Sequence, residues 1–150
     1  MCAIPYSGRA QEALSRGSIR EANELSGSPY RIRALVVHGN HLGSNLGFPT
    51  ANLQLAENRP FVPPMGVYAV KVAVDQTNYG GMANAGIRPT LGGKTMTLEV
   101  HLFDFSGDLY GKIVEVSFMD RIRDERKFDS LEDLVKQLHM DKADALRLLS

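Results

Sequence analysis

The sequence predicts a mainly β protein: a small closed antiparallel six-stranded β-barrel of Greek-key type, with a C-terminal helix and a short helical N-terminal extension. Between residues 30 and 119, short segments rich in Val, Ile, Thr, Tyr and Phe alternate with turn residues. No helical pattern separates these segments, which favours antiparallel pairing, and closure into a barrel protects the strand edges. Apolar residues recur at helical spacing only before residue 26 and after residue 130.

The N-terminal segment is predicted to be helical over residues 9–25. Gly17 and Ser18 interrupt the apolar stripe and divide it into two short helices, and Gly27-Ser28-Pro29 ends the region. We therefore divide the chain into an extension, residues 1–28, and a barrel domain, residues 29–150.

The predicted strands occupy residues 30–38, 66–75, 79–86, 94–105 and 112–119, with a shorter extended piece near 47–53. A helix follows over residues 130–149. Ser130 and Asp133 form a capping pair at its start, with Asp129 assisting. Asp141 with Asp144, after His139-Met140, is predicted to restart the helix.

Composition argues against several classes of protein. Lys+Arg and Asp+Glu each number 17, so the basic excess typical of nucleic-acid binders is absent. No apolar run approaches the roughly 20 residues that span a membrane. With one cysteine, Cys2, no disulfide can form within the chain. This composition fits a cytoplasmic protein with a single core.

The segment Pro49-Thr50-Ala51-Asn52 places two short oxygen-bearing side chains two positions apart. In an extended segment such residues point the same way, so Thr50 and Asn52 can direct two neutral oxygens at one point. Hard cations such as Mg²⁺ take oxygen ligands together with water and phosphate. The alternative is an ordinary turn with satisfied side chains.

Alternation along residues 96–103 places Glu99 and His101 on the face opposite Leu98 and Val100. Glu99 is either a solvent-facing carboxylate or a proton acceptor. His101 and His139 have no ligand partners at useful spacing, so no zinc site is predicted. The Gly-rich stretch 39–47 lacks the Lys-Ser/Thr ending of a P-loop; it is either a hairpin tip or a backbone nest for anions.

Seven separated blocks, in order, carry a resemblance to a known family. They are 36–39, 46–52, 66–69, 81–90, 98–105, 108–111 and 121–131. From about Tyr30 onward the sequence resembles riboflavin kinase, in the form found as the carboxy-terminal half of bacterial bifunctional riboflavin kinase/FAD synthetases. The extension resembles the linker that follows the FMN adenylyltransferase module of those proteins, and that module is missing here.

The resemblance implies transfer of phosphate from ATP to the ribityl 5′-hydroxyl of riboflavin, with Mg²⁺ and with no nucleic-acid or membrane partner. Glu99 is implied as the catalytic base, and Thr50 and Asn52 as metal ligands. Arg123 and Phe128, in a loop that would otherwise be simply solvated, are implied to bind the flavin. The implied nucleotide-binding residues are Gly39, Gly43, Ser44, Thr50, Asn52 and Asn84.

The sequence departs from the family at Ser44, where an Arg or Lys is usual. This departure keeps open a second reading, a flavin- or nucleotide-binding module of the same fold that has lost catalysis. A β-barrel adaptor for nucleic acid or protein is a third reading. Arg88 is expected to pair structurally with a carboxylate or carbonyl. Tyr110 either lines the site or packs against the barrel, and packing is the expectation.

Overall fold

Six strands and three helices make up the part of the chain that a computed structural model describes: residues 8–37, 49–54, 63–105 and 107–150, with backbone alone at 88–90, 94 and 95. The elements are α1 (Gly8–Ser15), α2 (Ile19–Ser26), β1 (Tyr30–Val37), β2 (Ala51–Gln54), β3 (Gly66–Val74), β4 (Thr77–Thr90), β5 (Gly93–Leu102), β6 (Ile113–Arg123) and α3 (Leu131–Leu149). None of these helices is long and apolar enough to cross a membrane.

The strands close into one barrel in the order β1-β2-β5-β4-β3-β6, and every neighbouring pair is antiparallel. Strands β3, β4 and β5 form a meander, and β6 returns to lie beside β3, which is a Greek-key arrangement. The predicted barrel is confirmed. β4 extends beyond the predicted 79–86, because its pairing with β5 continues to Thr90 and Gly93.

The barrel interior follows from alternation along the strands. Every second residue of β1 and β6 points inward, as Ile32, Val116 and Phe118 do, and is almost completely buried. The ring of Tyr68 meets that of Phe118 edge to face, with centroids 5.4 Å apart. The Tyr68 hydroxyl donates to the Pro64 carbonyl, so this buried polar group is satisfied.

The helices α1 and α2 pack against one end of the barrel and add Leu14, Ile19 and Ala22 to the same core. The predicted break between them is confirmed at Gly17, whose φ of 81° is in the left-handed region. The Asn23 side chain donates to the Phe118 carbonyl at 2.8 Å and accepts from the Tyr30 amide at 3.1 Å. It therefore ties α2 to both β6 and β1.

The C-terminal helix begins as predicted, because the Ser130 hydroxyl accepts a hydrogen bond from the Asp133 amide at 3.1 Å. Ser130 is the N-cap residue. One expectation for this helix was wrong, because α3 runs without interruption past Asp141. The Asp141 side chain is buried against the sheet, where it pairs with Arg123, and it therefore does not cap a new helix.

Helix α3 covers the outer face of β3, β4 and β6 and forms a second apolar cluster there, with Val67, Ala69, Met82, Phe103 and Ala145 at its centre. A buried ion pair lies in the same interface. The Asp141 carboxylate is fully buried and accepts three hydrogen bonds of 2.8–3.0 Å from the Arg123 guanidinium, and a fourth from Gln137 at 2.9 Å. This network fixes the end of β6 against the middle of α3.

We predict that Asp141→Asn destabilises the fold by about 3 kcal/mol, the lower end of the range for a buried ion pair that loses one partner, because Arg123 retains some solvent access. Urea denaturation would measure the loss. Asp144→Asn is the matched control, since its pair with Arg147 is exposed and is worth under about 1 kcal/mol. Equal losses in the two variants would contradict an energetic role for the buried pair.

Candidate active site

Three predicted site residues lie in one row across the outer face of the barrel. The register pairs Asn52 of β2 with Glu99 of β5, and Glu99 with Asn84 of β4. Their neighbours Leu53 and Leu98 are buried in the core, so the row faces outward. Adjacent strands lie about 4.8 Å apart, which brings the three side chains into one small area although they are separated by up to 47 residues of sequence.

Thr50 joins this row from the segment that leads into β2. Its hydroxyl donates to the Glu99 carboxylate, with Oγ1 and Oε1 3.4 Å apart. Glu99 is half-buried, and so are Thr50 and Asn52. The carboxylate on β5 therefore lies beside the oxygen-bearing side chains of both Thr50 and Asn52.

His101 is a residue of this region to which the sequence analysis assigned no role. It lies two residues beyond Glu99 on the same face of β5, is 9% exposed, and its Nδ1 lies 2.7 Å from the Pro49 carbonyl oxygen. In the neutral ring Nδ1–H donates this bond. His101 thereby holds the backbone immediately before Thr50. The sequence does place His101 on the same face of β5 as Glu99. Its partner, however, is a backbone carbonyl, and residue spacing does not predict such a contact.

Burial lowers the pKa of His101 below its usual 6.5, and the positive charge of Lys142 lowers it further, while the hydrogen bond to Pro49 opposes both effects. The Lys142 ammonium lies 5.7 Å from the centroid of the Phe103 ring, on the same outer face of the sheet. A positive charge is therefore present on the His101 side of Glu99.

The two predicted flavin-binding residues lie together, on the other side of Asn84. Val67 of β3 pairs with both Asn84 and Arg123, so Arg123 is two strands further along the same row. Its guanidinium carbon lies 5.6 Å from the centroid of the Phe128 ring, and that of Arg126 lies 5.0 Å from it. Asp141 holds the Arg123 guanidinium in place, and the Phe128 ring lies against it.

Three expected nucleotide-binding residues, Gly39, Gly43 and Ser44, lie outside the described residues. Arg88 is described only as backbone within β4. The expectation that Tyr110 packs against the barrel was wrong: it is 53% exposed, in a turn where its amide donates to the Asp108 carboxylate.

Within residues 8–37, 49–54, 63–105 and 107–150, no group of three His, Cys, Asp or Glu side chains could hold a metal ion. A cation at this site would depend on the neutral oxygens of Thr50 and Asn52 and on oxygens supplied by a ligand. The described surface also has a groove of about 540 Å³ across β1, β6 and β3, but none of the predicted site residues lines it.

Comparison with known proteins finds a matching family model and several relatives. The family model described as riboflavin kinase matches residues 26–149. A protein named bifunctional riboflavin kinase/FMN adenylyltransferase from Haemophilus influenzae is 49% identical over 132 residues, 87% of this chain and 42% of that protein. The same-named protein from Bacillus subtilis is 42% identical over 147 residues, 96% of this chain and 46% of that protein. The chain thus spans less than half the length of these relatives.

Two solved structures share the fold. One, described as a macrolide-efflux protein from Streptococcus pneumoniae, superposes with a TM-score of 0.86 at 43% identity, covering 92% of this chain and 45% of that one. The other, described as riboflavin kinase from Trypanosoma brucei, has a TM-score of 0.59 at 28% identity, covering 81% of this chain and 80% of that one.

We predict that the lowered pKa of His101 makes the fold less stable as the pH falls below about 6.5, because the unfolded chain then binds a proton that the folded protein resists. Urea denaturation at about pH 7.5 and pH 5.5 should show this loss, and His101→Asn should show a smaller one. NMR titration of the folded protein should give a midpoint for His101 below 6.5; a midpoint above it would contradict the prediction.

Proposed function

The chain belongs to the riboflavin kinase family, and from that premise we propose that it transfers the γ-phosphoryl group of ATP to the ribityl 5′-hydroxyl of riboflavin, giving FMN and ADP. The observation that carries the proposal is the row of Asn52, Glu99 and Asn84, joined by Thr50. Three chain segments that are distant in sequence meet on one outer face of the barrel and surround a single carboxylate.

Glu99 is proposed as the base. The 5′-oxygen of riboflavin forms a bond to the γ-phosphorus, the bond from that phosphorus to the bridging oxygen of ADP breaks, and the hydroxyl proton passes to the Glu99 carboxylate. The hydrogen bond from Thr50 orients the carboxylate. Phosphoryl transfer depends mainly on positioning and on charge stabilisation, so a carboxylate fixed on a barrel strand suits this role.

The oxygen set at Thr50 and Asn52 fits Mg²⁺. Both side chains offer neutral oxygens, and Mg²⁺ typically keeps several waters and binds through substrate phosphates as well as one or two protein ligands. When bound with ATP, the ion neutralises charge on the phosphate oxygens. Thr50 and Asn52 are therefore proposed as its protein ligands.

The charges of the described residues suggest which substrate lies on which side of Glu99. The His101 side carries the Lys142 ammonium, and Pro49 and Val37, the described residues that flank the Gly-rich segment, are close to Thr50 and Asn52. We assign the triphosphate, and the nucleotide-binding roles of Gly39, Gly43 and Ser44, to this side. The positive charge of Lys142 partly offsets the absence of a basic residue at position 44.

The flavin is assigned to the direction across the strands from Glu99, toward Arg123 and Phe128. A guanidinium plane and an aromatic ring can both pack against a flat isoalloxazine. The support is that Asp141 fixes the Arg123 plane and that Phe128 lies against it. Asn84 pairs directly with Glu99 and is proposed to contact the nucleotide at its γ-phosphate end, where the two substrates meet.

The relatives carry a second activity in their names, FMN adenylyltransferase, and are more than twice as long as this chain. We propose that adenylyl transfer, where it occurs, belongs to a module outside these 150 residues and that this chain accounts for the kinase step alone.

The direct test is to incubate the protein with ATP, Mg²⁺ and riboflavin and to measure FMN and ADP by chromatography. Equal amounts of the two products support the kinase. Riboflavin binding without FMN formation would instead favour the alternative, a binding module of the same fold. Absence of both binding and turnover would reject both.

We predict that Glu99→Gln lowers kcat by a factor of about 10² to 10⁴, because the amide cannot accept the hydroxyl proton. Flavin affinity, measured by quenching of riboflavin fluorescence, should remain within about twofold of wild type. Glu115→Gln is the matched control, since Glu115 is a partly exposed carboxylate on β6. Turnover that falls equally in both variants, or in neither, would remove Glu99 from the base role.

We predict that Thr50→Val reduces the Mg²⁺-dependent part of ADP affinity by about tenfold, the equivalent of one lost polar contact with a charged group. The change replaces an oxygen by a methyl group of similar size. Calorimetry with and without Mg²⁺ measures the effect, and Thr77→Val, in the exposed β3–β4 hairpin, controls for the substitution. The assignment fails if Mg²⁺ improves ADP affinity equally in wild type and in Thr50→Val.

A further inference from the structure

A second carboxylate faces the same surface of the sheet as Glu99. It belongs to Glu125, in the segment that links β6 to α3. An ideal β-carbon built on Gly86 of β4 would lie 3.4 Å from both oxygens of Glu125 and 3.4 Å from the Thr97 hydroxyl. Glu125 and Thr97 are therefore neighbours over Gly86.

The register relates this group to the reacting centre. Gly86 pairs with Thr97, and two residues away on the same face Asn84 pairs with Glu99. Two residues of strand span about 7 Å. Glu125 and Thr97 thus lie about 7 Å from Glu99 along the strands, on the side away from His101.

Gly86 leaves the backbone of β4 uncovered beneath this carboxylate. Its φ lies outside the left-handed region, so backbone freedom does not explain the glycine. A methyl group there would lie 3.4 Å from both Glu125 oxygens, at the near limit of van der Waals contact. With glycine at this position, no side chain of residue 86 lies between the sheet and the Glu125 carboxylate.

Within the described part of the chain, no hydrogen bond or ion pair engages the Glu125 carboxylate, and the residue is exposed. Its neighbour Asp124, by contrast, pairs with Arg121 at 3.0 Å. An ionised carboxylate can only accept hydrogen bonds, so its partner must be a donor. A triphosphate would be repelled, whereas an uncharged polyol offers several hydroxyl donors.

We propose that Glu125 and Thr97 bind the secondary hydroxyls of the ribityl chain and so position its terminal hydroxyl at Glu99. This inference rests on the proposed function. The acceptor hydroxyl ends a short chain of hydroxyl-bearing carbons that can bridge the interval between the two carboxylates. Glu125 thus selects an acceptor with a polyol tail and takes no part in the proton transfer.

The test compares riboflavin with lumiflavin, which has the same ring system but a methyl group in place of the ribityl chain. In Glu125→Ala, the Kd for riboflavin should rise at least tenfold, the loss expected for a hydrogen bond to a charged acceptor. The Kd for lumiflavin should not change. KM for riboflavin should rise with the Kd. Glu132→Ala, at an exposed carboxylate in the first turn of α3, should leave both affinities as in wild type.

A second variant acts without removing the carboxylate. Gly86→Ala places a methyl group against Glu125, so riboflavin affinity should fall and lumiflavin affinity should not. In the Glu125→Ala background, the same change should have little further effect on riboflavin, because the carboxylate that the methyl group contacts is already absent.

Equal weakening of riboflavin and lumiflavin in Glu125→Ala would overturn the proposal, since it would indicate a general disturbance of the 124–128 segment. Unchanged riboflavin affinity would overturn it as well. Both results concern the Glu125→Ala variant, whereas FMN formation is measured on the wild-type protein. Failure of this inference is therefore distinguishable from failure of the proposed function. Absence of riboflavin binding by the wild type would overturn both.

Discussion

The hydrogen-bonded register of β2, β5 and β4 is the constraint on which the site depends. Side chains alternate between the faces of a sheet, so a slip of one residue would turn Glu99 into the apolar interior and expose Leu98. The buried residues on the inner face oppose such a slip, because each would lose its burial. The apolar core thus fixes the positions of Asn52, Glu99 and Asn84, although none of these side chains belongs to the core.

The outer face of a barrel strand would ordinarily be open to water, and two features modify it here. Helix α3 covers the neighbouring strands, and its buried Asp141 holds Arg123 at the end of β6. The segment after Arg123 then turns back over Gly86. An ion pair inside the helix–sheet interface thereby sets the starting point of the segment that carries both Glu125 and Phe128, which links the stability of the fold to the flavin side of the proposed site.

Predictions from the sequence were most accurate where the signal is local. Alternation along β5 assigned Leu98 and Glu99 to the correct faces, and the Ser130 cap is present as predicted. The prediction for Tyr110 was wrong: the residue lies in a turn with about half of its surface exposed, and the burial of a turn residue depends on distant segments that no local pattern indicates. The restart expected at Asp141 was wrong for a similar reason: a buried partner, Arg123, determines what that carboxylate does.

By itself the sequence determined the kind of fold, the family resemblance and the chemical types of the candidate residues, because periodicity, turn residues and motif order are properties of the chain read in one dimension. Only the tertiary structure decided which of these residues meet. The 3.4 Å contact from Thr50 to Glu99, the anchoring of Pro49 by His101 and the carboxylate over Gly86 all join segments separated by 39 residues or more. Such contacts depend on barrel closure and strand register, which are set by the packing of the whole core.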